Sequence, residues 1–312
     1  MAEIGISPAP VIRIPVWSSV MALSAGITWS LGAVTTVAAT ESDAWQYLLW
    51  RSVAVLVVVE LLARLRGRRS SLKTAYTSGW LMVTACFSLF LASVSFIYAL
   101  KTTTAANTAF LASITPLVAV VLARVFLGER LTKVTVGALM LAMIGLTVMV
   151  VADLGAGRMS GNVAAMMSSV GFASYTVCIR ADPSRDWSPV LTGYAALMIV
   201  VCAAVTWTTG RPFVPSGFDL GMAVVHGGIL IVVGTYLFNV ASRSIPAVAM
   251  TVFAQTETVF VPVWIFLVFG EKPGAASLVG AAIILTAIVG KAVLDAKPGE
   301  LRPHRAVPGA IE

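Results

Sequence analysis

Ionisable residues inside long apolar runs are the positions where this sequence could do chemistry. Apart from charges at the ends of runs, these residues are Arg51, Glu60, His226 and Glu257. Glu257 lies about halfway along its run, and such a charge is a functional candidate because it is costly in lipid. It can bind a proton or an ammonium group, or it can be a neutral acid bonded to a neighbouring helix. Arg51 has two open roles, an anchor at the membrane surface or a contact for a carboxylate.

The other two ionisable residues carry more ordinary expectations. Arg64 follows Glu60 by one helical turn, which predicts a surface ion pair. His226 precedes Asn239 by 13 residues, and that spacing puts them about 140° apart on one helix. Both cannot face one cavity squarely, so we place Asn239 and Tyr236 there and leave His226 out.

Hydroxyl and aromatic residues recur at helical spacing and form polar stripes. Ser88, Ser95 and Tyr98 share one face of their run, and Phe172 aligns with Tyr175. A lipid-facing helix has no reason to repeat such residues on one side, whereas a cavity for a small amphipathic solute does. A single serine or threonine can instead bond to a carbonyl of its own helix. As a set, the stripes favour a cavity.

The elements that must position these residues follow from composition. The chain has 312 residues, 58% hydrophobic and 11% charged, with a mean hydropathy of +0.93, which excludes a water-soluble globule. Apolar runs of about 20 residues match a hydrocarbon core of ~30 Å and must be helices, because lipid cannot satisfy open strand edges. The predicted spans are Val16–Ala39, Ala44–Ala63, Thr77–Leu100, Ala105–Leu127, Leu131–Ala152, Gly161–Ile179, Trp187–Trp207, Phe218–Val240, Pro246–Phe269 and Ala275–Leu294.

Basic residues are distributed unevenly between the two sides of these spans. Of the 21 Lys and Arg residues, 16 fall on one side, 4 on the other, and Arg51 lies within a span. The positive-inside rule therefore places both termini in the cytoplasm. The basic residues form no stripe with interleaved aromatics, so we expect no nucleic-acid partner.

Several chemistries are not expected. The chain has two histidines and neither a Cys-x-x-Cys nor a His-x-x-x-His spacing, so we expect no metal. No phosphate-binding glycine loop is present, which excludes an ATP-driven pump in one chain. We expect no cofactor. A membrane enzyme or a channel remains an alternative from a different class, but no catalytic pair converges and no ring of like charges is visible.

An internal repeat organises the chain. A shift of 142 residues places Ala99 on Ala241, Lys101 on Arg243 and Gly128-Glu129-Arg130 on Gly270-Glu271-Lys272. The predicted repeats are 16–152 and 161–294, with cytoplasmic tails 1–15 and 295–312. Because each repeat has five spans, an odd number, the two must enter the membrane from opposite sides, as in secondary transporters with a midplane substrate site.

The repeated charges and glycines allow two interpretations. Lys101, Arg243, Glu129 and Glu271 are either gate charges that pair in alternate states or anchors at the membrane surface. In the second case, Gly128 and Gly270 end their helices in a left-handed conformation. Pro116 and Pro262 lie within predicted spans, where each is expected to kink its helix.

A family resemblance rests on several motifs. They are Ala99-Leu100-Lys101-Thr102-Thr103-Thr104-Ala105-Ala106-Asn107-Thr108-Ala109, Thr115-Pro116-Leu117, Leu127-Gly128-Glu129-Arg130, Asn239, Pro246-Ala247, Glu257 with Pro262, and Gly270-Glu271-Lys272. In these motifs and its span count the chain resembles the EamA-type ten-helix members of the drug/metabolite transporter superfamily. The resemblance implies a central cavity lined by spans one to four and six to nine, with spans five and ten outside it.

The expected protein is an all-α integral membrane transporter with ten transmembrane helices, arranged as two inverted five-helix repeats around a central cavity. We expect it to export small metabolites, foremost neutral (including aromatic) amino acids, from the bacterial cytoplasm across the inner membrane by alternating access. A drug or nucleobase exporter or a metabolite importer is the alternative. Its partners are a small-molecule substrate and the bilayer, and it is a monomer or homodimer. The candidate substrate-binding residues are Trp29, Ser88, Ser95, Tyr98, Asn107, Thr108, Phe172, Tyr175, Tyr236, Asn239 and Glu257.

Overall fold

The computed structural model describes residues 15–103, 108, 111–112, 114–129, 131–151, 159–270 and 274–296, and these ranges form helices and no strand. The helices are α1 (Val16–Ala38), α2 (Ala44–Leu65), α3 (Ser71–Thr77), α4 (Trp80–Thr102), α5 (Thr115–Leu122), α6 (Lys133–Val151), α7 (Met159–Ala181), α8 (Pro189–Thr208), α9 (Gly217–Val225), α10 (Val232–Ala241), α11 (Ala247–Ala254), α12 (Thr256–Phe269) and α13 (Ala275–Ala296). π-Helical turns continue α5 over Ala123–Leu127 and join α9 to α10 over His226–Ile231.

Length and apolar composition make six helical stretches of the described chain suitable for crossing a membrane. They are Val16–Ala38, Trp80–Leu100, Met159–Ala181, Pro189–Thr208, Gly217–Ala241 and Ala247–Phe269. Three shorter apolar helices are Thr115–Leu127, Lys133–Val148 and Leu278–Leu294. The all-helical class is therefore confirmed for the described residues, and the count of ten spans stays a prediction.

Helix ends follow local sequence signals. Asp43 caps α2, because its carboxylate accepts from the backbone N–H of Gln46 at 2.8 Å while the Gln46 side chain accepts from the Asp43 N–H at 3.2 Å. Gly128 and Gly270 have φ of 63° and 74° and end the segments before them in the left-handed conformation. The predicted glycine caps are therefore confirmed at equivalent positions of the two halves.

The two prolines act differently from each other. Pro116 lies in the first turn of α5, where its missing N–H leaves no helical hydrogen bond unmade. Residues 111–112 before it are also helical, so the fourth predicted span is interrupted just before this proline. Pro262 lies inside α12, as expected. The ninth predicted span also breaks at Gln255, between α11 and α12. This break starts α12 in the middle of the span.

Helix packing separates an inner group from a supporting pair. α4 lies along α7, α2 lies along α8, and α1 contacts both α10 and α12. α6 and α13 pack mainly on each other, and the buried Lys291 of α13 donates to the Thr135 hydroxyl of α6 at 3.1 Å. This arrangement places α1, α4, α7 and α10 around the residues described below.

The loops sort into two ends of the bundle. At one end, Arg68 donates to Asp186 at 2.8 Å and Arg185 donates to the backbone carbonyl of Ser78 at 2.7 Å. We call this the basic end, because it carries the arginine-rich segment 64–73, which joins α2 to α3. At the opposite end, the Asp219 carboxylate accepts from the Ser42 N–H at 2.6 Å, and the Arg211–Asp43 ion pair spans 3.3 Å.

Candidate functional site

Four aromatic rings from three helices form a cluster in the middle of the bundle. Trp29 of α1 lies 5.8 Å from Phe172 of α7 and 5.2 Å from Phe238 of α10, measured between ring centroids. Tyr175 of α7 stacks on Phe238 at 6.2 Å. Trp29 packs directly on Gly234, where an added Cβ would lie 2.5 Å from the indole nitrogen. The structure thus brings together three of the predicted aromatics and adds Phe238.

Asn239 adds a polar group beside this aromatic cluster. Its side-chain oxygen accepts a hydrogen bond from the Tyr175 hydroxyl, and the residue is only 6% exposed. Its side-chain nitrogen has no hydrogen-bond partner. A buried amide donor without a partner costs free energy, so this group is available to a ligand.

Arg51 is buried on α2, 3% exposed, and points into the bundle. Its guanidinium donates to the Ser93 hydroxyl of α4, and its Nε has no partner. No carboxylate of the described chain lies within ion-pair distance of it. The backbone of α2 at Arg51 meets Gly227 of the π-helical turn so closely that an added Cβ would lie 1.9 Å from the Arg51 carbonyl oxygen. An inward guanidinium of this kind is not an anchor at the membrane surface.

Glu257 is half-buried in the first turn of α12. The break at Gln255 puts its carboxylate at a helix N-terminus, where the helix dipole favours negative charge. Within the described residues its side chain makes no hydrogen bond and no ion pair. Arg51 and Glu257 are therefore a basic and an acidic side chain inside the helical bundle that do not contact each other.

His226 belongs to a packing network instead. Its ring nitrogen Nδ1 lies 2.9 Å from the Tyr47 hydroxyl, which donates to the Thr35 hydroxyl at 3.0 Å. The histidine is buried against α1 and begins the π-helical turn. These contacts give His226 a structural role in joining α1, α2 and the turn.

The remaining predicted residues lie outside the aromatic cluster. Ser88 and Ser95 are buried on α4, and Thr108 is fully buried. The Tyr98 ring lies 6.1 Å from that of Trp45, on α2. Tyr236 is 51% exposed and lines a groove at the basic end. Asn107 lies outside the described residues.

Comparisons with known proteins assign the family. The sequence profile of the EamA-like transporter family matches residues 16–151 and 159–291. The chain belongs to this family. It is therefore a multi-pass membrane transporter rather than an enzyme. A search of curated proteins finds no match. A solved structure described only as "Crystal structure of protein" superposes with a TM-score of 0.76 at 18% identity, over 90% of this chain and 99% of its own, and so shares the fold.

In this EamA-like transporter, an ionic cluster ties several helices together at the basic end. Glu129, after the π-helical end of α5, pairs with Arg180 of α7 at 3.0 Å, with side-chain exposures of 11% and 14%. Glu129 also accepts from the backbone N–H of Ala247 at 3.3 Å, and Arg180 donates to the Arg243 carbonyl at 3.1 Å. Glu129, which the internal repeat aligns with Glu271, thus pairs with Arg180 of α7, a residue that the repeat comparison did not point to.

Sequence reasoning missed three features of the EamA-like transporter. Phe238 is apolar and carries no polar signal of its own, although Tyr236 and Asn239 lie close to it in the sequence. Arg51 has a serine and no carboxylate as its neighbour on α4, and spacing within α2 does not reveal what a neighbouring helix supplies. The expected Glu60–Arg64 pair is wrong, because the Glu60 carboxylate accepts from the Ser70 hydroxyl and the Leu72 N–H at the start of α3.

Proposed function

We propose that this EamA-like transporter exports small zwitterionic metabolites, foremost neutral and aromatic amino acids, across the bacterial inner membrane by alternating access. The observation that carries the proposal is that Arg51, which is buried, and Glu257, which is half-buried, lie inside the bundle without an ion pair among the described residues. The proposal takes both termini to be cytoplasmic, as the distribution of basic residues predicts.

The two charges match the two ends of an amino-acid backbone. A guanidinium binds a carboxylate through two parallel hydrogen bonds, and the unpartnered Nε of Arg51 is one donor free to do so. The carboxylate of Glu257 is the matching acceptor for an ammonium group. Charges within a membrane bundle are costly and mark substrate pathways. A zwitterion bound between them satisfies both and adds no net charge.

The aromatic cluster suits the side chain of such a solute. Trp29 and Phe172 are only partly buried, so their rings retain accessible surface, whereas Tyr175 and Phe238 are fully buried behind them. Aromatic pairs add about 0.5–1.5 kcal/mol beyond the area that they bury. We therefore expect phenylalanine and leucine to be better substrates than glycine.

Alternating access follows from the proposed inverted repeats. Two halves of opposite orientation allow one arrangement in which the basic end is closed and another in which the opposite end is closed. The ionic cluster around Glu129 and Arg180 joins α5, α7 and the segment before α11 at the basic end. These contacts support an assignment of the present arrangement to the state that is closed at the cytoplasm.

One observation favours a second candidate class, a nucleobase exporter. The free side-chain nitrogen of Asn239 lies beside stacked rings, and an amide next to aromatics can bond to the edge of a planar base. A nucleobase carries no carboxylate or ammonium group, so this class leaves Arg51 and Glu257 unused. For that reason we rank it second.

The test is exchange in proteoliposomes with substrates that each lack one charge. Wild-type protein should exchange phenylalanine faster than either phenethylamine, which lacks the carboxylate, or 3-phenylpropionate, which lacks the ammonium group. Arg51→Gln should reduce phenylalanine exchange and leave phenethylamine unchanged, and Glu257→Gln should leave 3-phenylpropionate unchanged. Arg51→Lys is the matched control that keeps the charge.

Three results would contradict the proposal. In the first, the wild type exchanges all three compounds at equal rates. In the second, each variant loses exchange of every compound while the protein remains folded. In the third, the wild type exchanges uracil faster than phenylalanine. The last result would support the nucleobase class instead.

A further inference from the structure

A groove of about 340 Å³ lies on the outside of the bundle at the basic end, between α2, α3, α8 and α10. We call it the basic-end groove. Its lining includes the apolar Leu62 and Val233, Tyr236, and the three arginines Arg66, Arg68 and Arg69. The groove is separate from the aromatic cluster, so a ligand bound in it is independent of the proposed substrate.

The floor of the groove is apolar, and its side chains are partly exposed. Leu62 is 38% exposed and Val233 is 44% exposed, on the facing surfaces of α2 and α10. Tyr236 is also exposed there and presents an apolar ring with a polar hydroxyl, the kind of residue found at the level of lipid headgroups. A floor of this kind fits a hydrocarbon chain.

The rim of the groove is basic, and most of its charge is unpaired. Arg68 donates to Asp186 at 2.8 Å. Within the described chain, the side chains of Arg66 and Arg69 have no ion pair and no hydrogen bond. Two guanidinium groups therefore lie beside the groove without a carboxylate partner in the described chain.

Asp186 does not cancel this charge. Its burial acts to raise the pKa, but hydrogen bonds from Ser188 and the positive charge of Arg68 outweigh that effect, so the pKa lies below its usual value. Asp186 thus stays ionised at neutral pH and is paired with Arg68 alone. The net charge of the rim, with Arg66 and Arg69, is positive.

We propose that the basic-end groove binds one anionic phospholipid, with its headgroup phosphate on Arg66 and Arg69 and an acyl chain along Leu62 and Val233. Basic pockets between helices at the cytoplasmic side bind anionic headgroups, and a guanidinium matches phosphate geometry. The combination of a basic rim and a lipid-facing apolar floor favours a lipid over a soluble anion, which would leave the floor unused.

The test is native mass spectrometry of the delipidated full-length protein, titrated with phosphatidylglycerol or phosphatidylcholine of identical acyl chains. Each arginine near a membrane surface contributes roughly fivefold in affinity for an anionic lipid. The double variant Arg66→Gln/Arg69→Gln should therefore bind phosphatidylglycerol roughly 25-fold more weakly than wild type. Arg64→Gln removes a charge from the same basic segment, but Arg64 does not line the groove and is not placed to contact a headgroup there, so binding of phosphatidylglycerol should stay near the wild-type level.

The outcomes separate the possible occupants. Selective binding of phosphatidylglycerol that is lost in the double variant and kept in Arg64→Gln supports the proposal. Equal binding of both lipids, or equal losses in the double variant and Arg64→Gln, overturns it. Displacement of phosphatidylglycerol by millimolar inorganic phosphate also overturns it and identifies a site for soluble anions.

Discussion

The Glu129–Arg180 ion pair should control how often the basic end opens. It links the end of α5 to α7 at 3.0 Å, and Glu129 also accepts from the Ala247 N–H. Removing one partner of a fully buried pair costs ~3–5 kcal/mol. Because the side chains of Glu129 and Arg180 retain 11% and 14% exposure, we expect that loss of the ion pair costs the closed state a smaller amount, about 2 kcal/mol. This free energy corresponds to a shift of roughly 30-fold in the ratio of closed to open states.

The perturbation is Glu129→Gln, which keeps the shape of the side chain and its capacity to accept from Ala247. Spin labels at Phe126 and Arg243 would report the separation of the two segments across the basic end. Phe126 is 67% exposed, and Arg243 contributes only its backbone carbonyl to the ionic cluster. Double electron–electron resonance should show a longer distance gaining population in the Glu129→Gln variant.

A double-mutant cycle gives the result that would refute this reasoning. If the pair acts as a unit, Arg180→Gln and the Glu129→Gln/Arg180→Gln double variant should each shift the distance populations about as much as Glu129→Gln alone. Arg211→Gln is a control, because the Arg211–Asp43 ion pair lies at the opposite end of the bundle. Fully additive effects, or unchanged distances in Glu129→Gln, would show that the pair does not hold the basic end closed.

Further predictions concern packing, the aromatic cluster and orientation. Gly227→Ala should sharply lower the yield of folded protein and its Tm, because the new Cβ would lie 1.9 Å from a carbonyl oxygen of α2. Gly221→Ala is the control and should leave both unchanged, because a Cβ added there would have nothing within 4 Å. Trp29→Ala should weaken phenylalanine exchange in proteoliposomes several-fold by removing a ring of the cluster, and Tyr98→Ala should weaken it less. A larger loss of exchange in Tyr98→Ala than in Trp29→Ala would place the solute on α4. A green fluorescent protein fusion at Glu312 should fluoresce and an alkaline phosphatase fusion there should be inactive, as a cytoplasmic terminus requires; active phosphatase would invert the orientation.

Periodicity within a helix predicts the candidate site where neighbouring helices remain regular. Phe172 and Tyr175 are one turn apart on α7, so spacing alone indicates that they share a face, and both join the aromatic cluster. Tyr236 lies three residues before Asn239 on α10, yet it is exposed in the basic-end groove while Asn239 is buried. Adjoining faces of a helix can thus meet different surroundings, which spacing within one helix does not specify.

Irregular segments limit the reach of spacing arguments. The 140° angle between His226 and Asn239 assumes 100° per residue throughout, but a π-helical turn over His226–Ile231 changes the phase between them. The break at Gln255 likewise depends on tertiary packing and places Glu257 at a helix N-terminus. No local motif indicates either irregularity, and both lie beside the proposed site.

The two halves are alike in their helix ends but unlike in their ionic contacts. Gly128 and Gly270 adopt the same left-handed conformation. The shift of 142 residues places Arg180, one residue before the end of α7, on Ala38, the last residue of α1. The preceding residues Thr36 and Val37 are also uncharged, so the end of α1 supplies no arginine at the end opposite the basic end. We expect the Glu129–Arg180 pair to favour the closed basic end, and in the proposed cycle substrate binding must offset this preference before the basic end opens.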